Sequence, residues 1–289
     1  MTALRLATRG SRLARAQADT ALQALRRTGV EELQVVVVRT QGDRRPGTPV
    51  ELLAGEGWFT AALEEALVDG QADIAVHSAK DLPGRLAPGL TVAAYLERGD
   101  CRDGLVSRSG AVLASLPPGA TVGTSSARRT AFLAALRPDL RPVPLRGNVD
   151  SRLGRLESGA VDALLLACAG LERIGMGERI TERLDPRSFV PAPCQGTIAL
   201  EARDRGVPAG CCAAADHAAT RAAAVAERAV LAALGGGCLL PLGAWARPEE
   251  GRLVLSAALA APGGIRRSER VGDLDAPAPL GEQVAADLR

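Results

Sequence analysis

The chain has 289 residues, 47% of them apolar and 24% charged, and a formal net charge of +2. This length allows two or three domains with a substantial core. The balanced charge excludes an overall basic field for nucleic acid. The lack of any run of 18 apolar residues excludes a transmembrane helix, so no membrane partner is expected.

Aromatic residues make up only 2%, which leaves Ala, Val and Leu to fill the core. The first residues lack the basic, then apolar, then small-residue order of a secretion signal. The six cysteines show no CxxC spacing and there are two histidines, so reduced thiols and no metal site are expected in a cytoplasmic chain.

In chain order, Leu4–Thr8 reads as a strand and the residues after it as a helix with Ala14, Ala18, Ala21, Leu22 and Leu25 on one face. Ser11 is placed to cap that helix. The β-branched run Gln34–Thr40 predicts a strand buried on both faces. Residues 41–57 are polar and rich in Gly and Pro, as in a long loop. Phe59, Ala62, Leu63, Ala66 and Leu67 then mark a helix, and Asp73–His77 a strand. The alternation is that of a parallel-rich α/β sheet.

The pattern repeats after "ERGDCRDG". Ala120–Thr124 is a strand, Ser125–Leu136 a helix, and Asn148 a cap for a helix with Val149, Leu153 and Leu156 inside. Asp162–Ala167 is another apolar strand, and Ile198–Ala202 a strand returning to the first unit. An Ala-rich helix over Asp216–Leu234 opens a third region that ends in a strand, "RLVLSAALAAP", and a short helix.

Four polar clusters fall at strand ends and helix starts: "ATRGSRLARAQ", "HSAKDLP", "GTSSARR" and "LRGNVDSRL". Ligands of open α/β sheets bind at the carboxyl ends of strands, and helix N-termini favour anions. Arginine adds permanent, bidentate charge. Each cluster alone fits helix caps and solvated arginines, but four together point to a polyanion held between two α/β domains.

Lys80 is the sole lysine, the other 34 basic residues being arginine, and it precedes Asp81 at a strand end. A carboxylate there suits N–H groups and a developing cation, or simply caps the turn before Pro83 and Gly84. His77 reads as a core histidine. Three glycines before Cys238 leave its thiol uncrowded, so it reads as a point of covalent attachment. An anion-binding module of this fold explains the arginines but not that Gly-rich cysteine loop.

These motifs, with "GGGCLLPLGA", stand in the order and spacing of the porphobilinogen deaminases, and the resemblance spans essentially the whole chain. It implies two periplasmic-binding-protein-like α/β domains plus a small α+β C-terminal domain. The domains would be residues 1–97 with 195–213, then 98–194, then 214–289. It further implies a cytoplasmic monomer that polymerises four porphobilinogen molecules, with loss of ammonia, into the linear tetrapyrrole hydroxymethylbilane of haem biosynthesis. Its cofactor would be a dipyrromethane held by a thioether on Cys238, and its catalytic carboxylate Asp81.

By the same resemblance Arg9, Ser11, Lys80, Thr124, Ser125 and Ser126 fall on carboxylate-binding positions. Arg128, Arg129, Arg146, Arg152 and Arg173 do so as well, while Phe59, Asn148, Gln195 and Gly196 line the site. The chain departs from the pattern at Leu52 and Glu56, where many members carry lysine, at Leu239, and at Cys194, where glycine is usual. The substitutions at Leu52 and Glu56 also fit a weak or inactive paralogue.

Overall fold

A computed structural model describes residues 3–38, 60–237 and 240–289. The expected loop over 41–57, Leu52, Glu56, Phe59, Cys238 and Leu239 lie outside the described residues. The first unit runs β1 (Leu4–Arg9), α1 (Arg12–Arg27), β2 (Leu33–Val38), α2 (Ala61–Val68), β3 (Ile74–Ser78) and β4 (Leu90–Tyr95). Helix α1 starts where expected, because Ser11 is extended and its Oγ accepts the Ala14 N–H at 3.2 Å. Its buried Ala18, Ala21 and Leu25 pack on Leu6, Ile74 and Val76 of the sheet.

The second unit runs β5 (Asp103–Ser107), β6 (Thr121–Gly123), α3 (Ala127–Leu136), β7 (Arg141–Val143), α4 (Val149–Glu157), β8 (Ala163–Ala167), α5 (Cys168–Arg173) and β9 (Glu182–Arg183). The chain then returns through β10 (Ile198–Arg203) and α6 (Val207–Ala213). The sheet orders are β2-β1-β3-β10-β4 and β7-β6-β8-β5-β9. In each sheet the first three strands are parallel and the fourth, β10 or β5, is antiparallel to the third. Strand β10 joins the first sheet although most of the second unit precedes it in sequence, so the chain crosses between units twice. The parallel-rich expectation therefore needs one antiparallel strand in each sheet.

Strand β2 corrects a second expectation. Among the described residues it is an edge strand that pairs with β1 alone, and Val35 and Val37 are 38% and 44% exposed. β-branched residues favour extended backbone at an edge as well as in a core, so the run does not report burial.

The third unit has α7 (Ala218–Ala233), β11 (Leu242–Glu249), β12 (Arg252–Ala261), β13 (Gly264–Asp273) and α8 (Pro277–Leu288). Its strands form an antiparallel meander, where a single strand was expected. Val230, Leu253, Leu255 and Val284 lie among its core residues. Helices α7 and α8 cross closely at Gly281, where a Cβ would run into the Ala226 carbonyl.

A buried ion pair ties the third unit to both crossings. Arg98 Nη1 lies 2.6 Å from Glu227 Oε1, and Glu227 is fully buried on α7. The same carboxylate accepts the backbone N–H groups of Cys194 and Ala246, while Arg98 Nε donates to the Gln195 carbonyl at 2.8 Å. Among the described residues no helix is long and apolar enough to cross a membrane.

Candidate active site

Strand β3 delivers the central residues. After Ser78 the chain makes one 3₁₀ turn, Ala79–Asp81, then buries Leu82. The turn is pinned from two sides: the Ala79 N–H donates to the Thr197 carbonyl at 3.0 Å, and Gln17 Nε2 on α1 donates to Ser78 Oγ at 2.8 Å. Among the described residues no hydrogen bond engages the Asp81 carboxylate. It is therefore not spent on capping the turn. His77 is buried inside the first unit, its Nε2 2.9 Å from Glu201, as a core histidine.

Lys80 Nζ reaches Gln195 Oε1 at 3.4 Å, and Arg129 Nη2 of the second unit meets the same oxygen at 3.4 Å. Gln195 is oriented for this because its Nε2 donates to the Cys101 carbonyl at 2.8 Å. The next residue must be glycine. Gly196 has φ +89° and a Cβ there would stand 2.7 Å from the Gly99 carbonyl. Its own carbonyl accepts Arg173 Nη2 at 2.5 Å.

The cations of this cleft act on one another. Burial, then the charge of Arg129, pulls the Lys80 pKa down to about 8, with Asp81 opposing. Burial and Arg129 likewise lower Arg152 to about 10, with Asp81 opposing and Arg146 adding to the fall. Arg152 Nε donates to the Gly147 carbonyl at 2.9 Å, and no carboxylate pairs with it among the described residues. Lys80, Arg129, Arg146 and Arg152 thus share a region with Asp81, and Asp103 acts on Lys80 from behind Arg129. Such a surplus of cations is what a polycarboxylate ligand relieves.

Other expected site residues do different work. Arg128 is 3% exposed, and its guanidinium meets both oxygens of Asp103 at 2.8 and 3.1 Å and the Val190 carbonyl at 2.8 Å. It lies 5.9 and 5.7 Å from the ring centroids of Phe132 and Phe189. It points into the core of the second unit and not toward the cleft. Arg129 shares Asp103 at 2.7 Å and donates to the Leu165 carbonyl at 2.9 Å, keeping one nitrogen for Gln195.

Ser126 caps α3 by accepting the Arg129 N–H, and Asn148 caps α4 by accepting the Ser151 N–H at 2.8 Å. Ser125 Oγ donates to the Leu145 carbonyl at 2.5 Å, and Thr124 is buried and accepts the Ser126 N–H at 3.3 Å. Arg9 ends β1, beside Ser11, at the same sheet edge as Ser78.

Asp103 was missed by sequence reasoning. It is fully buried; burial pushes its carboxyl up, but Arg128 and Arg129 outweigh that and hold it well below the usual carboxylate range. In the sequence it sits in a polar turn, where an aspartate carries no special signal. Arg228 was missed as well: from α7 it donates to the Pro83 carbonyl at 2.8 Å. The loop that follows α7 also reaches this turn, since a Cβ on Gly84 would stand 3.9 Å from the Gly236 carbonyl oxygen. Gly236 therefore lies near the segment that follows Asp81.

Two family models match. The porphobilinogen deaminase dipyromethane cofactor binding domain covers residues 4–207, and the porphobilinogen deaminase C-terminal domain covers residues 222–289. A porphobilinogen deaminase of Acidothermus cellulolyticus is 45% identical, covering 100% of this chain and 89% of the relative. Another from Albidiferax ferrireducens is 44% identical, covering 100% and 94%. Among solved structures, the periplasmic VFT2 domain of Bordetella pertussis BvgS overlays at a TM-score of 0.40 and 18% identity, covering 74% of this chain and 86% of that one. Two family models that together span nearly the whole chain, and full-length relatives at these identities, show that the chain belongs to the porphobilinogen deaminase family.

Proposed function

We propose that this cleft joins four porphobilinogen molecules into hydroxymethylbilane with Asp81 as the catalytic carboxylate and Cys238 as the cofactor attachment point. The reaction itself comes with the family: the chain is a transferase of tetrapyrrole biosynthesis, working with a dipyrromethane cofactor. The observation that carries the residue assignment is the Asp81 carboxylate, unengaged by hydrogen bonds among the described residues and set among surplus cations. The backbone of Gly236, two residues before Cys238, comes near Gly84, three residues after Asp81.

The residues present fit a dipyrromethane. Its acidic side chains match Lys80 and Arg152, which no carboxylate pairs with among the described residues, with Arg129 and Arg146 beside them. When bound, the cofactor supplies the pyrrole carbon that accepts the first substrate. Asp81 accepts the N–H of a pyrrole and offsets the positive charge that develops on the substrate as its C–N bond breaks and ammonia leaves. Coupling would balance as one C–N bond broken and one C–C bond made, the ring proton being taken up by the departing ammonia as ammonium. Arg9, Ser11 and Arg173 extend the carboxylate-binding edge. Arg128 is reassigned: it orders α3 through Asp103, and with Ser126 and Asn148 it positions the site without touching substrate.

The three-unit division at 97/98, 194/195 and 213/214 belongs to this reading and is supported by the return of β10 to the first sheet. A cytoplasmic monomer fits the five described cysteines, all unpaired. Intact-mass measurement tests the assignment directly. Purified protein is expected to carry two pyrrole units, mapping to Cys238, and to elongate on exposure to porphobilinogen. Asp81→Ala is expected to keep the adduct and lose turnover by about a thousandfold, in the range of removing one electrostatic group. Wild-type rates in that variant would remove Asp81 from the mechanism.

A further inference from the structure

Beside the cleft, between α1 and α5, lies an open pocket of about 500 Å³ lined by Gly10, Arg12, Arg15, Asp19, Arg173 and Ile174, with Ala16 at its wall. That volume falls in the range of about 300–1,000 Å³ usual for small-molecule sites. It continues the site already described, since Gly10 stands between Arg9 and Ser11, and Arg173 holds the Gly196 carbonyl. Three guanidinium groups from two units converge on it. Arg12 bridges the units, donating to Asp150 Oδ1 at 3.2 Å and to the Ile174 carbonyl at 2.6 Å. Arg173 spends one nitrogen on Gly196, leaving further donors on each group.

Arg15 is different. It is exposed, and among the described residues its side chain has no hydrogen bond or ion pair, although Asp19 stands one turn away on the same helix. An (i, i+4) arginine and aspartate left apart on one pocket wall offer separate donors and acceptors to a ligand.

The chemistry of that wall repeats the cleft. A pyrrole of this pathway carries one N–H donor and two carboxylates. The cleft meets them with Asp81 and its cations, and the pocket offers Asp19 with Arg12, Arg15 and Arg173. Each addition brings two more carboxylates, while the cations around Asp81 stay the same in number. A growing chain therefore outruns the cleft, and further cations line this adjoining pocket. We propose that the pocket between α1 and α5 is an accessory subsite for a ring of the growing polypyrrole, with Arg15 as a carboxylate contact and Asp19 as the N–H acceptor. The inference rests on the family reaction and extends it to residues of α1 outside the central site.

The test uses holoenzyme exposed briefly to one, two and four equivalents of porphobilinogen, with bound intermediates counted by intact-mass spectrometry. Arg15→Glu is expected to slow later additions more than the first, so partly elongated enzyme accumulates and kcat falls about fivefold, as for one solvent-screened ion pair. Arg15→Lys restores most of the wild-type profile, and Asp19→Asn shifts it in the same direction as Arg15→Glu. Arg27→Glu, a matched charge reversal at the far end of α1, leaves it unchanged. Thermal midpoints stay at the wild-type value, because Arg15 holds nothing in the fold. An Arg15→Glu profile superposing on wild type overturns the subsite and leaves the family reaction standing. Wild-type holoenzyme that adds no rings overturns both.

Discussion

Buried cations are used in two opposite ways. At the joints of the fold a buried carboxylate meets them: Glu227 pairs with Arg98, and Asp103 is shared by Arg128 and Arg129, where burial still lowers Arg128. In the cleft Lys80 and Arg152 each feel the charge of Arg129 and have no paired carboxylate among the described residues. Burial alone lowers the Arg98 guanidinium, yet Glu227 outweighs it and the net shift is upward. Lys80 and Arg152 shift down because nothing of equal strength opposes burial and their like-charged neighbours. The difference teaches that counting arginines near a sheet edge does not locate a ligand. The balance of carboxylates against cations does.

The sharpest way to break this comparison is to remove a joint carboxylate. Asp103→Ala leaves two buried arginines unmatched, and removing one partner of a buried pair costs about 3–5 kcal/mol. Urea unfolding should show that loss, together with a loss of activity through disorder of α3. The pH dependence follows from the same group. Its folded pKa is depressed, so its stabilisation is present above the ordinary aspartate range and drains away as pH falls through it toward the folded value. A variant as stable as wild type would show that Arg128 and Arg129 do not depend on Asp103.

Cleft cations should respond in the reverse sense. Arg152→Ala removes a cation whose burial is unfavourable, so stability is expected to hold or rise. The loss appears instead in KM for porphobilinogen, by about tenfold to a hundredfold, the worth of a charge-assisted hydrogen bond. Calorimetry and steady-state kinetics on one preparation separate the two effects. An unchanged KM with a lowered melting temperature would move Arg152 to the structural group.

Lys80 adds a pH signature. Its folded pKa of about 8 lies below the ordinary lysine value of 10.5. Between those values the unfolded chain binds the proton that the folded chain releases, so stability rises with pH across that window. Carboxylate affinity runs the other way, because the free enzyme loses the Lys80 charge as pH passes about 8. An alkaline fall in kcat/KM above that point is expected, and Lys80→Arg should flatten it. A fall that persists in Lys80→Arg would assign it to another group.

Much of this was readable in the sequence where the cause is local. Ser11, Ser126 and Asn148 each cap a helix through an amide three residues ahead, so a short window contains the whole interaction. The return of Ile198–Arg203 to the first sheet was legible from its apolar run after a long break. The direction of Arg128 was not, because its partners Asp103 and Val190 lie 25 and 62 residues away. Nor was the exposed face of β2, since Val35 and Val37 take extended backbone in either setting. The surplus charge on the cleft floor depends on which carboxylates are absent nearby, and no motif records an absence.

Cys194 offers the smallest test, within the matched region. It has φ +60°, one of two non-glycine residues with positive φ among those described, and its N–H is held by Glu227. A left-handed backbone costs a side chain about 1–2 kcal/mol that glycine avoids. Against that, its thiol is buried beside Tyr95 and Ala199, lies 3.7 Å from the Ala224 carbonyl, and has its pKa pushed up to about 12 by burial. Losing that packed sulfur costs an amount similar to deleting a buried methylene or two, about 1–2 kcal/mol. Cys194→Gly should therefore change stability by less than about 1 kcal/mol, with turnover unchanged, because the N–H to Glu227 bond survives the substitution. A loss beyond about 2 kcal/mol would mean that the sulfur, and not the backbone turn, holds this crossing against α7.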